Sequence, residues 1–355
     1  MNRVVLWIAA VTIPVAASAQ DGACSSLPAT GPVDATQCGM VGDGKTDNSP
    51  FIAGWVGTCM STNRRCYLPA GNYLLSEPFV LDLSTVRSRG ITMFGDGANA
   101  SILHFTTTSS PAFSIECQIC TENSNPRLPG YVAGGHGAFY SSFRSFHVVG
   151  TLAGTVLRVG LPATAEYPMI HPDAMNGFTF DDMIVNNSLA DPLANAVELN
   201  GVFESRIWMT TNAHEKGVSL RMTGVAYSTI SGSYSGANAG IHITGGNTFG
   251  NTFNNLDLEV VNTALIIDSP GAFDNTFIGG VYALNGSAIN AVIDATKGYN
   301  NTFINPHTSP TFQFFANGGK NNTGVSVIQG GATVIPAGSV PTAAGRSVVV
   351  VTKDE

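Results

Sequence analysis

Three patterns in the 355-residue sequence predict an all-β chain wound as a parallel β-helix behind one short N-terminal helix. The first is a repeat: GNTFNNLDLE from 250, DNTFIGGVYA from 274 and NNTFINPHTS from 300 align, with KNNTGVSVIQ from 320 as a looser copy. Their asparagines Asn251, Asn275 and Asn301 are 24 and 26 residues apart, and FTFDDMIVNN, ESRIWMTTNA and YSTISGSYSG stand upstream as weaker copies. The second is the short apolar segment that follows each copy: NAVELN, KGVSLRM, AGIHIT, TALIID and NAVIDA. These alternate with period two between Gly and Asn, as short strands between turns do. The third is the lack of a long helical pattern among them. A repeat of about 21–26 residues holding two or three strands therefore fits coils stacked on one another. A leucine-rich repeat would need a regular Leu ladder, which is missing.

The chain opens with MNRVVLWIAAVTIPVAASA, a basic residue, an apolar run and a small-residue end, which reads as a secretory signal peptide over 1–19 cut after Ala19. That run is too short to span a membrane. A cap over 20–62 is expected next. All six cysteines (Cys24, Cys38, Cys59, Cys66, Cys117, Cys120) lie in the first third of the chain, which suits an oxidising compartment. Cys117 and Cys120 form a CxxC without a second pair or a nearby histidine pair, so a local disulfide is expected rather than zinc. Ser49 reads as an N-cap, Pro50 as the first helical residue, and Phe51, Ile52, Trp55, Val56 and Cys59 share one face. The coils are expected over 63–330. A C-terminal cap or tail over 331–355 carries a valine run at 348–351 that reads as a terminal strand.

Just before the helix stands VGDGKTDN, followed by CYLPAGNYLL and GITMFGDGANASILHF. This succession resembles the N-terminal part of the pectate-lyase-like superfamily, in its rhamnogalacturonase/epimerase-type domain. The matches are Gly42-Asp43-Gly44 with Thr46-Asp47, Leu68-Pro69-Ala70-Gly71-Asn72-Tyr73 and Gly95-Asp96-Gly97, with Asn48 in place of the usual second Asp. The resemblance implies a right-handed parallel β-helix and a carbohydrate context. In that setting the GDGKTDN loop is a turn before the cap, its glycines supplying positive φ and its Asp and Asn side chains bonding local backbone. It fails as a calcium loop, because Lys45 and Asn48 stand where an EF-hand needs Asp or Asn and Gly.

Charged residues are only 11% of the chain, glycine numbers 40, and the net charge is −8. An acidic chain of this kind is no nucleic-acid binder, and a membrane role is not expected either. The expected partner is a polysaccharide, and the expected location is secreted or periplasmic. The sequence leaves the oligomeric state open.

By comparison with the superfamily, the substrate lies on the sheet built from the third strand of each coil. In register, Val197/Leu199, Val218/Leu220, Ile241/Ile243 and Leu265/Ile267 point inward. Arg158, Glu198, Ser219 with Arg221, His242 with Thr244, and Ile266 with Asp268 point outward. Glu198, Arg221 and His242 are the catalytic candidates. Arg158 and Ser219, with His214 and Lys216 in the flanking turn, are candidates for substrate binding. Solvent-facing solenoid residues are polar by default, so each also reads as plain surface.

An acid, guanidinium groups and an imidazole on one face suit β-elimination of a uronate, where a base takes the proton next to the carboxylate and cations stabilise the enolate. Calcium is not expected, since Glu198 and Asp268 are three coils apart, and no other metal or cofactor is expected. A calcium-independent polysaccharide lyase is the preferred reading. The polygalacturonase signature is not reproduced: Gly135-His136-Gly137 precedes Asp181-Asp182, and Arg206-Ile207-Trp208 stands in place of RIK. Hydrolysis by Glu198 with Glu204 or Asp268 stays open. So does a non-catalytic glycan-binding solenoid using Trp208, Tyr234, Tyr282 and Phe312.

Overall fold

The computed structural model describes Cys24 and residues 27–86, 88–117, 138–162, 175–259, 261–282, 293–294, 298–308, 323–325, 328–329 and 332–333. The expected signal peptide, Cys120, residues 135–137, Phe312 and the valine run lie outside the described residues.

Period-two alternation places one set of side chains inside each coil, and the strands then stack in parallel as a right-handed β-helix. Among the described residues the one antiparallel pairing is at the end of the chain, Ile328–Gln329 against Ala332–Thr333. Eight strands form one wall, in the order Phe79–Asp82, Phe113–Glu116, Thr155–Val159, Asn195–Asn200, Val218–Thr223, Ala239–Ile243, Thr263–Ile267 and Ile293–Asp294. The first two strands of the coils, expected as separate sheets, merge into one bent sheet of 19 strands. Thr179–Asn187, Arg206–Ala213 and Thr229–Ser235 run through its corner without a break.

The repeat asparagines sit wholly inside the coils. Asn251 and Asn275 each donate both their backbone N–H and their side-chain amide to the next asparagine's Oδ1, at 2.9–3.1 Å, with Asn301 accepting from Asn275. Their amides also donate to the carbonyls of Val225, Thr248 and Ala272. The ladder thus satisfies backbone groups at a corner where no strand can, which a buried corner requires. Two residues on, Phe253, Phe277 and Phe303 stack with ring centroids 4.3 and 4.5 Å apart.

The N-terminal end is closed by the helix Ser49–Thr62, which buries Ile52, Trp55, Val56 and Cys59 and leaves Phe51 partly exposed. Its N-cap is Asn48, and Ser49 is the first helical residue. The expected cap at Ser49 fails because the Asp47 carboxylate accepts from the Ser49 N–H and hydroxyl, which draws Ser49 into the first turn. Asn48, fully buried, accepts from the Val41 N–H and donates to the carbonyls of Val41, Thr46 and Leu74. Disulfides join Cys24 to Cys38 and Cys59 to Cys66, the second tying the helix to the first coil. Cys117 is also disulfide-bonded.

The three N-terminal motifs interlock. A Cβ on Gly42 would lie 2.9 Å from the Gly71 Cα, so the two motif glycines meet where no side chain fits. Asp96, from the third motif, accepts from the Tyr67 hydroxyl at 2.7 Å and the Ala70 N–H at 2.8 Å. Asp43 accepts from the backbone of Lys45 and Thr46 and from the Thr46 hydroxyl. The acidic residues of the opening loop are therefore turn and latch groups, as expected.

Candidate active site on the eight-stranded sheet

Each strand of the eight-stranded sheet begins at a tight corner and then presents two outward positions. Arg158 pairs with Glu198, Glu198 with Arg221, and Arg221 with His242, one residue per coil. Leu157, Val197, Leu220 and Ile241 form the buried row behind them. Neighbouring members are thus about 4.8 Å apart at the backbone. The second outward column, two residues on, carries Asp82, Glu116, Asn200, Thr223, Thr244 and Asp268.

Charges of alternating sign pair along and between these columns. Arg158 Nη2 donates to Glu116 Oε1 at 2.6 Å, and both side chains are largely buried. Glu198 accepts from the Thr155 hydroxyl at 3.1 Å and from the Asn200 amide at 3.2 Å. His242 Nε2 lies 3.3 Å from Asp268 Oδ1. Arg221, half-buried between Glu198 and His242, has no hydrogen-bond or ion-pair partner among the described residues. A fixed acid, an unengaged guanidinium and a carboxylate-held imidazole therefore stand side by side.

One expectation changes here. Ser219 does not face outward: it is fully buried and donates to the Ser235 carbonyl at 2.6 Å. It occupies the corner position shared with Ala196, Gly240 and Ala264, where a Cβ on Gly240 would already meet the Ala264 oxygen at 2.8 Å. Ser219 is turned inward there, and Val218 beside it is half-exposed. Arg158 is engaged by Glu116, an acid the sequence reading did not single out although its place in FSIE marks it as outward. His214 and Lys216 lie in the turn between Arg206–Ala213 and Val218–Thr223, with Lys216 exposed, and no contact joins them to Arg221.

The other candidates separate. From the strand spacing, Glu198 and Asp268 are about 14 Å or more apart, beyond the roughly 5–9.5 Å that two-carboxylate hydrolysis spans. Glu204 lies past the Gly201 bend (φ 60°), exposed on the next corner. The same separation keeps Glu198 and Asp268 from sharing one calcium ion. Of the aromatic candidates, Tyr234 and Tyr282 are buried and Trp208 is exposed on the bent sheet.

Residues 33–266 match the family model for Rhamnogalacturonase A/epimerase, pectate lyase-like. The chain belongs to this family. No curated protein matches the chain. Among solved structures, it is similar to the A-module of the mannuronan C-5 epimerase AlgE4 from Azotobacter vinelandii (11% identity, TM-score 0.46, 90% of this chain and 100% of that one). It is similar to the AlgE6 A-module of the same organism (14%, 0.42, 85% and 78%). The tailspike protein of Acinetobacter phage vB_ApiP_P1 is a further neighbour (14%, 0.48, 90% and 59%). The family match, to a pectate lyase-like type of parallel β-helix, spans the coils that carry Arg158, Glu198, Arg221 and His242.

Proposed function

We propose that this pectate lyase-like protein is a secreted, calcium-independent polysaccharide lyase acting on a uronate-containing glycan. The observation that supports this most is Arg221: a guanidinium without a hydrogen-bond or ion-pair partner among the described residues, flanked on neighbouring strands by an acid and an imidazole. Arg221 pairs with the uronate carboxylate and so acidifies the adjacent C–H. His242, oriented by Asp268, takes that proton as general base. The electron pair left on the α carbon forms the double bond to the β carbon as the glycosidic C–O bond breaks; the departing oxygen takes a proton from water, and the hydroxide so formed takes the proton held by His242. Glu198, held by Thr155 and Asn200 on the neighbouring strand, faces the same substrate and contacts its hydroxyls. Export is supported by the disulfides Cys24–Cys38 and Cys59–Cys66. No helix among the described residues is long and apolar enough to cross a membrane.

The test is incubation with a panel of uronate polysaccharides in the presence of a chelator. The expected result is the ultraviolet absorbance of an unsaturated uronate end. New reducing ends without that absorbance, or no product from any polyuronate, would overturn the reading.

A further inference from the structure

A cleft lies on the bent sheet, away from the eight-stranded wall. It has a volume of about 530 Å³, in the ~300–1,000 Å³ range of ligand sites. One wall is the loop Gly97–Ala100 and the other is Trp208, three strand spacings away, or about 14 Å. The loop is anchored by the Gly97 N–H, which donates to the Ser145 carbonyl on the next coil.

The floor is irregular for a specific reason. Pairing between Thr179–Asn187 and Arg206–Ala213 jumps from Phe180/Ile207 to Met183/Met209, so Asp181 and Asp182 together oppose Trp208. Asp182 takes the left-handed conformation (φ 50°), and no residue of Arg206–Ala213 does. This is a β-bulge, a device that re-aims side chains at sites. Its effect is to leave Trp208 45% exposed at the cleft edge and Asp182 exposed in its lining. The Asp182 carboxylate and the exposed Asn99 amide have no partner among the described residues.

We infer that this cleft is a second carbohydrate site, distinct from the eight-stranded sheet, that holds neutral sugar units of the polysaccharide. The indole offers its electron-rich face to the C–H face of a pyranose. Asp182 and Asn99 supply the planar acceptor and donor groups that vicinal hydroxyls need. The lining holds one acid and no cation, so it disfavours a uronate and divides labour with Arg221 on the other wall. The inference rests on the reading that the protein handles polysaccharide, but not on elimination chemistry.

Calorimetric titration of the secreted chain with short oligosaccharides of mannose, galactose, glucose and xylose, and with an oligouronate, tests it. The expected result is binding of at least one neutral series, weakened about tenfold or more by Trp208→Ala and separately by Asn99→Ala. Both positions are exposed, and an unchanged melting temperature confirms that the variants fold. Arg221→Ala leaves this binding unchanged. Failure of every neutral series to bind, wild-type binding by both variants, or Trp208-dependent preference for the oligouronate would overturn the site. Trp208-dependent neutral binding without elimination sinks the lyase reading alone. Elimination without neutral binding sinks this site alone.

Discussion

His242 and Asp268 meet diagonally across two adjacent coils, Nε2 to Oδ1 at 3.3 Å, because His242 pairs with Ile266 and Asp268 stands two residues further along that strand. A carboxylate so placed orients the ring. Asp268→Asn is therefore expected to lower kcat by releasing the ring from its orientation. His242→Ala should cost about 10²–10⁴ in kcat. Initial rates check both, and an unchanged kcat in Asp268→Asn would remove Asp268 from the site.

Arg221 separates charge from geometry. Arg221→Lys keeps the positive charge but loses the planar fork that grips a carboxylate in two places. The expected outcome is a raised KM together with a lowered kcat, with Arg221→Ala worse in both. Kinetics equal to wild type in Arg221→Ala would show that the guanidinium does not touch the substrate.

The asparagine ladder predicts a large stability effect far from any chemistry. Replacing Asn275 by Leu leaves the Asn251 backbone N–H and the Thr248 carbonyl without partners in a buried corner and takes one bond each from the Asn251 amide and the Asn301 oxygen. At about 1–3 kcal/mol for each orphaned group, a loss of several kcal/mol is expected. Denaturant unfolding measures it, and a variant as stable as wild type would mean that water replaces the amide.

The helix cap depends on its disulfide. Cys59 and Cys66 are seven residues apart and close a short loop between helix and first coil. Replacing both by Ala is expected to cost about 2–3 kcal/mol, from the entropy of the opened loop. The same variant should expose Trp55, which is fully buried against the coil, to added quenchers.

Asp47 makes the cap acid-sensitive. Burial alone would raise its pKa, but the hydroxyls of Ser76 and Ser49 and the backbone amides of Ser49 and Ser76 outweigh that and bring it down to about 2. A folded pKa below the ordinary 3.8 means that the stability is present above pH 3.8 and is lost as pH falls through about 2. Solvent screening holds the contribution to about 1 kcal/mol or less. Asp47→Asn should thus lower the melting temperature at neutral pH and match wild type near pH 2.

Local chemistry along the chain determined the coil repeat, the period-two strands, the buried helix face and the turn role of Gly42–Asn48, since each depends on neighbours a few residues away. The pairing of Arg158, Glu198, Arg221 and His242 was legible too, because stacked coils with matched inward rows leave only one register. Ser219 was not legible: alternation places it outward, and only the sharp corner against the next coil turns it in. The Glu116–Arg158 and His242–Asp268 pairs join residues on different coils, at separations of 42 and 26 residues. The cleft beside Trp208 depends on one extra residue in one coil opposing one in the next. Contacts of that kind arise from how coils of unequal length stack, which is a property of the wound chain rather than of any segment within it.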